Sequence, residues 1–348
     1  MRKNIFLILF FCILLAYIIF FPHQLKKELV FHPSWGVAVT ADAAGSDDNP
    51  VPFDFDSKLG YFSAAGRILY SEDITYKAAV SEDLFINYSS VSENLVLQHP
   101  NGDIVGLIET EGLPFFINDR LFVISPDRMS VTEYNSDGLP LLNLSPGSTI
   151  ISMDAGEKNI ILGTLNGEVV VYAGKPEPVF TYFSTDSRYS VTYACALTDD
   201  GNRFAAVTGL YPQQLVCFEL RNDEYIAVFR MNMTDIYRRN ILLDYSDDGK
   251  LLYIENPDGI DIYSTATFLK KKIEAAGNIE AVRFPGEKEM SYILSSQDEQ
   301  NLLRVYRSDL GGIADLYFPA GDIYFYPAAG CFYVGVEGRI LRYDIIEG

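Results

Sequence analysis

Between residues 76 and 348 the chain repeats one pattern seven times: four short runs of alternating apolar residues, separated by turns rich in Gly, Asp, Asn or Pro. Two turns show the repeat most clearly: residues 198–203 (TDDGNR) precede 204–207 (FAAV), and residues 246–250 (SDDGK) precede 251–254 (LLYI). Alternation with a period of two is typical of half-buried strands. The pattern therefore predicts an all-β chain built of small antiparallel sheets with four strands each.

A four-strand unit that recurs about every 40 residues predicts a β-propeller, in which each sheet is one blade of a ring. The sequence predicts seven blades. Their innermost strands are expected at residues 77–81, 114–118, 149–153, 191–197, 240–245, 279–284 and 322–326.

No fourth strand follows residues 339–346 in the seventh unit, so the ring needs an outer strand from elsewhere. Residues 67–72 form a strand-like run before the first complete unit, and we expect this N-terminal strand to close blade seven beside Ile340 and Leu341. If the run instead belongs to another sheet, the count becomes eight.

The amino end contains a long apolar run. Residues 5–21 carry no charge and follow Arg2 and Lys3. At about 1.5 Å per residue, this run is long enough to cross a hydrocarbon core of roughly 30 Å. The first A-x-A-like sequence, residues 41–43, is too far along to be a signal-peptide cleavage site. An uncleaved N-terminal transmembrane helix is therefore the favoured interpretation.

This interpretation divides the chain into a membrane anchor (residues 1–22), a proline-containing linker (residues 23–57) and a propeller (residues 58–348). The basic amino end favours a cytoplasmic start, which places the propeller on the extracytoplasmic, periplasmic side of a membrane.

Charge limits the partners. The chain has 47 acidic and 27 basic residues, with a formal net charge of −20. Such a surface repels nucleic acid phosphates and anionic lipids. We expect no nucleic acid partner, and a protein, a cation or a neutral ligand suits the charge better.

The turns at residues 198–202 and 246–250 resemble the S-x-D-G-K turn of WD40-like, YVTN-like and TolB-like propellers. The chain lacks the Gly-His and Trp-Asp pairs of WD40 repeats. It also lacks the repeated tryptophan motif of quinone-cofactor propellers, since Trp35 is its only tryptophan. The resemblance implies a diverged propeller of WD40-like, YVTN-like or quinoprotein-like type, and it implies neither a catalytic residue nor a cofactor.

Residues for catalysis are scarce. His99 is the only histidine after residue 57, so no Ser-His-Asp arrangement has a second candidate base. Cys195, Cys217 and Cys331 lie in strand-like runs without metal-ligand spacing, and we expect them to be small buried hydrophobes. The sequence therefore predicts no catalytic residue, no metal site and no cofactor.

One group of residues suggests binding. In a four-stranded antiparallel blade, the second-to-third turn and the connection to the next blade emerge on the same face. There, loops at residues 185–189, 209–213 and 233–239 bring together the arginine–tyrosine patch, defined as Arg188, Tyr189, Tyr211, Tyr237, Arg238 and Arg239. Arg and Tyr dominate interface energetics, and arginines also bind carboxylates. The alternative is that these arginines pair with acidic neighbours of the same chain.

These observations favour a membrane-anchored, non-enzymatic scaffold for protein binding or assembly. One alternative is a small-ligand sensor or carrier that uses the central channel. Another is a hydrolase or lyase with carboxylates at the channel mouth. Polar groups clustered at one mouth would favour the alternatives, and a sealed apolar channel would favour the scaffold.

Overall fold

The computed structural model describes residues 10–11, 29–45, 47, 49–89, 94–275, 277–284, 290–307 and 314–347. Strands form eight antiparallel sheets around a central channel, and we number these sheets as blades 1 to 8 in chain order. The architecture is an eight-bladed β-propeller, so the predicted fold type is confirmed and the predicted count of seven blades is wrong.

The strands are as follows. Blade 1 contains β2 (Val51–Phe55), β3 (Lys58–Phe62) and β4 (Ile68–Asp73). Blade 2 contains β5 (Lys77–Val80), β6 (Phe85–Tyr88), β7 (Leu95–Gln98) and β8 (Ile104–Ile108). Blade 3 contains β9 (Leu113–Ile117), β10 (Arg120–Ile124), β11 (Val131–Tyr134) and β12 (Pro140–Leu144). Blade 4 contains β13 (Ile150–Ala155), β14 (Asn159–Thr164), β15 (Glu168–Ala173) and β16 (Pro178–Phe183).

Blade 5 contains β17 (Tyr189–Leu197), β18 (Arg203–Leu210), β19 (Gln214–Arg221) and β20 (Glu224–Asn232). Blade 6 contains β21 (Leu243–Tyr245), β22 (Leu251–Asn256), β23 (Gly259–Ser264) and β24 (Lys270–Glu274). Blade 7 contains β25 (Asn278–Arg283), β26 (Met290–Ser296), β27 (Gln300–Arg307) and β28 (Ala314–Pro319). Blade 8 contains β29 (Tyr324–Ala328), β30 (Cys331–Val336), β31 (Arg339–Glu347) and β1 (Leu29–Ala38).

The predicted inner strands are confirmed, since they overlap β5, β9, β13, β17, β21, β25 and β29, the first strands of blades 2 to 8. The middle strands of a blade are buried on both faces because blades stack against each other. Thus β14 is buried along nearly its whole length. Phe204 and Phe218 of blade 5 stack with ring centroids 4.5 Å apart and pack on Ile161, Val169 and Val171 of blade 4.

The predicted closing strand is wrong. Residues 68–73 form β4, which pairs with β3 in blade 1. The strand that closes the ring is β1, which pairs with β31 from Leu29 opposite Glu347 to Ala38 opposite Arg339. Pro33 lies at an irregularity of this ladder. Edge strands tolerate a proline. The proline-containing segment 23–57, predicted to be a linker, therefore holds two of them: β1, the outer strand of blade 8, and β2, the inner strand of blade 1.

In the part of the chain that the structure describes, blade 1 has three strands, and the connecting residues 39–45 lie along its outer strand β4. The Ala44 amide donates to the Ile68 carbonyl (2.8 Å), and Ser71 Oγ donates to the Val39 carbonyl (3.2 Å). This segment therefore covers part of the edge that a fourth strand covers in the other blades.

The predicted transmembrane anchor and the membrane localisation that depended on it are not supported. Among the described residues, no helix is both long enough and apolar enough to cross a membrane. Most of the predicted anchor, residues 1–9 and 12–22, falls outside the described residues.

The two faces of the disc are named by their turns. The A–B face carries the turns between first and second strands, including residues 198–202 and 246–250. The B–C face carries the turns between second and third strands of blades 2 to 8 and, for blades 1 to 7, the connections from one blade to the next. Blade 1 runs the other way, so its β2–β3 turn also lies on the B–C face, beside Gly338 of blade 8.

Candidate functional site

The loops of the arginine–tyrosine patch meet on the B–C face of blade 5. The Arg188 amide donates to the Tyr211 carbonyl (3.2 Å), which joins the entry to β17 with the β18–β19 turn. Arg238 Nη2 donates to the Tyr211 hydroxyl (2.8 Å), which joins that turn with the connection to blade 6. Tyr211 therefore lies between the two arginines and contacts both loops.

Tyr211 is held in an unusual conformation. Its φ is 60°, in the left-handed region that costs a non-glycine residue of order 1–3 kcal/mol, and the residue is 46 % exposed. Ser187 Oγ donates to the Pro212 carbonyl (2.6 Å) and supports the turn from below. The fold thus stabilises a strained turn that presents an aromatic ring to solvent.

A buried glutamine braces the patch from beneath. Gln213 Nε2 donates to the Tyr237 carbonyl (3.0 Å), and the Tyr237 amide donates to Gln213 Oε1 (2.9 Å). The Met233 amide also donates to the Gln213 carbonyl (2.8 Å). Because both ends of this fully buried side chain are used, the β18–β19 turn and residues 233–237 form one rigid unit.

Two residues of the predicted patch, Arg239 and Tyr237, are already engaged within the fold. Arg239 donates to both carboxylate oxygens of Glu255 (2.5 and 3.2 Å), a side chain that is only 6 % exposed and also accepts from the Leu242 amide (3.1 Å). Tyr237 is buried, and burial and the nearby Glu255 carboxylate raise the pKa of its phenol. The Arg239 side chain is 57 % exposed but held by Glu255. The exposed patch residues without an acidic partner in the described chain are therefore Arg188, Tyr189, Tyr211 and Arg238.

Sequence reasoning missed three apolar neighbours on the same face. Leu165 lies in the β14–β15 turn, Phe183 ends β16, and Ile236 lies beside the patch in the connection to blade 6; they are 53, 48 and 46 % exposed. Gly167, two residues after Leu165, packs so closely on Ser190 that an added Cβ would lie 2.6 Å from the serine Cβ. In the sequence, the only sign of these neighbours was a single apolar residue in or beside each polar turn.

We define the docking surface as Leu165, Phe183, Arg188, Tyr189, Tyr211, Ile236 and Arg238.

The channel mouth on the opposite A–B face is polar. A cavity of about 370 Å³ is lined by the ends of the inner strands of blades 3 to 8, and its charged residues are Asp154, Asp199, Asp244, Asp247 and Arg283. A neighbouring cavity of about 610 Å³ shares Asp199 and Asp247 and adds further carboxylates. Polar groups at this mouth favour a channel that receives a ligand. Because they lie on the face opposite the arginine–tyrosine patch, they do not oppose docking of a protein on that patch.

Burial perturbs two channel carboxyl groups. Asp244 has its pKa raised to about 8, by burial first and then by the nearby Asp154 charge, while Arg283 acts in the opposite direction. Burial also raises the pKa of Asp154, although this side chain accepts from the Leu197 amide (2.7 Å) and the Ala155 amide (2.8 Å). The mouth can therefore hold a proton or attract a cationic group.

The described residues include no group of three or more His, Cys, Asp or Glu side chains placed to hold a metal ion. Cys195, Cys217 and Cys331 are buried and free, as predicted. Burial raises the pKa of the Cys195 and Cys217 thiols to about 12, so neither is a thiolate nucleophile near neutral pH.

A family model described as "beta-propeller protein" matches residues 1–348. The chain belongs to this beta-propeller family. The match supports the diverged propeller predicted from the turns, without a more specific family. No curated protein matches the chain.

Solved structures extend the likeness of this beta-propeller protein to its overall shape. BamB from Moraxella catarrhalis superposes with a TM-score of 0.60 at 10 % identity, covering 90 % of this chain and 100 % of BamB. The Dos1 propeller superposes with a TM-score of 0.59 at 12 % identity, covering 90 % of this chain and 95 % of Dos1. At such low identities the likeness concerns the fold alone.

Proposed function

We propose that this beta-propeller protein is a non-enzymatic scaffold for protein binding or assembly, and that a partner docks on the B–C face of blades 4 to 6. The observation that carries the proposal is the docking surface itself, where tyrosines, arginines and exposed apolar side chains lie on braced loops. Aromatic residues and Arg are the types enriched in interface cores. Braced loops lose little conformational entropy on association, which favours affinity.

Removing two docking side chains tests the proposal. The Tyr211→Ala/Ile236→Ala variant is expected to lower recovery of crosslinked partners at least tenfold, because central interface residues carry about 2 kcal/mol or more each. The measurement is crosslinking in intact source cells, capture of the tagged full chain, and quantitative mass spectrometry against wild type.

The matched control is Leu139→Ala/Leu141→Ala, which removes two side chains that are each 61 % exposed on the rim of blade 3. Both variants should keep the wild-type melting temperature within a few degrees. Equal loss of partners from both variants, or from neither, would refute the docking surface.

A second candidate function is binding of a small cationic ligand at the channel mouth on the A–B face. The acidic lining favours it, because carboxylates in a cleft with low-dielectric walls concentrate cations. A polyamine of suitable length would reach several of these groups at once.

Calorimetric titration of spermidine tests this second function. We expect wild type to bind it, and Asp199→Asn/Asp247→Asn to bind it at least tenfold more weakly, which corresponds to about 1.4 kcal/mol. Asp127→Asn, which changes an exposed turn of blade 3 away from the channel, is the control. Identical affinities for all three proteins would exclude the channel mouth as the site.

A further inference from the structure

We infer that the partner segment received by the docking surface is acidic, a stretch of polypeptide in which carboxylates lie next to apolar side chains. This inference rests on the proposed function and adds the chemistry of the partner. It follows from what the two exposed arginines contact, from how they are positioned and from the apolar side chains beside them.

Within the described part of the chain, Arg188 and Arg238 form no ion pair, although the protein carries 20 more acidic than basic residues. Nearby cations do find carboxylates: Arg230 pairs with Asp186 (2.7 Å) and Arg239 with Glu255. The surplus of acidic residues has therefore not neutralised these two positions. An unpaired guanidinium has five donors available for a carboxylate from outside.

Tyrosines position both guanidinium groups instead. Arg188 lies over the Tyr189 ring, 5.4 Å from its centroid, and Arg238 donates to the Tyr211 hydroxyl. Bonding to Tyr211 also raises the pKa of Arg238. Since neither contact uses more than a small part of the donors, each arginine is oriented and remains able to form bidentate bonds to a carboxylate.

Apolar side chains flank the two arginines. Leu165 and Phe183 lie on the blade 4 side of Tyr189, where Ser190 Oγ donates to the Ser184 carbonyl (3.4 Å), and Ile236 lies two residues before Arg238. A purely acidic ligand would leave these side chains in water. A segment with alternating carboxylates and apolar residues would cover them and pair both arginines.

Anionic lipid and nucleic acid also carry negative charge, but the whole chain repels them. A charge of −20 opposes approach to any extended anionic surface. A short acidic segment needs only the local field of the two arginines, which acts within a Debye length of about 8 Å at physiological salt.

A synthetic peptide tests the inference directly. The probe is a fluorescein-labelled 12-residue peptide in which Glu and Leu alternate, and fluorescence anisotropy with the full chain is read at 50 and 300 mM NaCl. We expect the peptide to bind wild type, to lose affinity at higher salt, and to bind Arg188→Gln/Arg238→Gln about tenfold or more weakly. A peptide with Gln in place of Glu should bind wild type about as weakly as the acidic peptide binds this variant.

The matched control, Arg221→Gln/Lys250→Gln, removes the same number of positive charges from the A–B face of blades 5 and 6. It should bind the acidic peptide within threefold of wild type. A second variant, Tyr211→Phe, keeps the ring and removes the hydroxyl that orients Arg238, so it should fall between wild type and the arginine variant.

Three outcomes overturn the inference. In the first, the acidic peptide does not bind wild type; in the second, both charge variants weaken peptide binding equally. In the third, phosphatidylglycerol vesicles bind in an arginine-dependent way and the peptide does not bind. Failure of the proposed function is distinguishable, because it appears as full partner recovery with Tyr211→Ala/Ile236→Ala. Loss of partners in that variant, with normal recovery in Arg188→Gln/Arg238→Gln, would keep the docking surface and remove its acidic ligand.

Discussion

Deletion of residues 29–38 is expected to abolish cooperative folding of the propeller. These residues form β1, which pairs with β31 along blade 8 and places Trp35 near Phe62 of blade 1 and Tyr333 (ring centroids 6.1 and 5.8 Å apart). The deletion removes the whole outer strand of blade 8 and opens the ring, and domains are stable by only about 5–15 kcal/mol. Urea unfolding followed by circular dichroism should show no cooperative transition, and limited proteolysis should be rapid.

Point substitutions in β1 separate the loss of ring closure from a general loss of stability. Trp35→Ala should lower the free energy of unfolding by about 1–3 kcal/mol, because it removes a partly buried indole that packs on the core and donates to the Ala64 carbonyl (3.1 Å). Val30→Ala, at a half-exposed position of the same strand, should change it by less than about 0.5 kcal/mol. A deletion protein with the wild-type unfolding curve would mean that another segment, such as residues 67–72, closes the ring.

The stability of Asp244→Asn is expected to increase relative to that of wild type as the pH rises from 5 to 8. The pKa of Asp244 is about 8 in the folded chain, against 3.8 for the ordinary side chain. Because the folded state holds this proton more tightly than the unfolded state, its contribution to stability is complete below about pH 4 and is lost as pH rises through 8. Asn carries no such proton, so the advantage of the variant should grow by about 1–4 kcal/mol between pH 5 and 8.

The measurement is the difference in urea unfolding free energy between variant and wild type at several pH values. Asp248→Asn is the control with the opposite sign. Burial acts to raise the pKa of Asp248, but hydrogen bonds from Lys250 and Ser246 outweigh it and lower that pKa, so the contribution of Asp248 is present at neutral pH and lost as pH falls. Parallel pH curves for wild type and Asp244→Asn would show that Asp244 is an ordinary, solvated carboxylate.

Local chemistry determined the repeat, the inner strands and the position of the patch. Alternation of apolar residues and the SDDGK-type turns depend on neighbours in the chain, so they predict strands such as β17 and β18 directly. The face of the patch followed as well, because antiparallel topology places the β18–β19 turn and the connection to β21 on one side of the disc.

Partners of the patch residues could not be predicted in the same way. Arg188, Arg238 and Arg239 are equivalent in the sequence, but only Arg239 lies within reach of the buried Glu255. Likewise, Asp244 resembles any other aspartate in a strand, and its raised pKa depends on the burial and on the Asp154 charge that the ring brings to it. Distances between blades decide both properties.

By itself, the sequence determined that this protein is an acidic propeller of repeated four-strand units, because each unit is specified by residues close together in the chain. Only the tertiary structure decided the number of blades and how the ring closes. Closure pairs Val37 with Ile340, residues from opposite ends of the chain, and an edge strand needs so little local regularity that β1 can contain a proline.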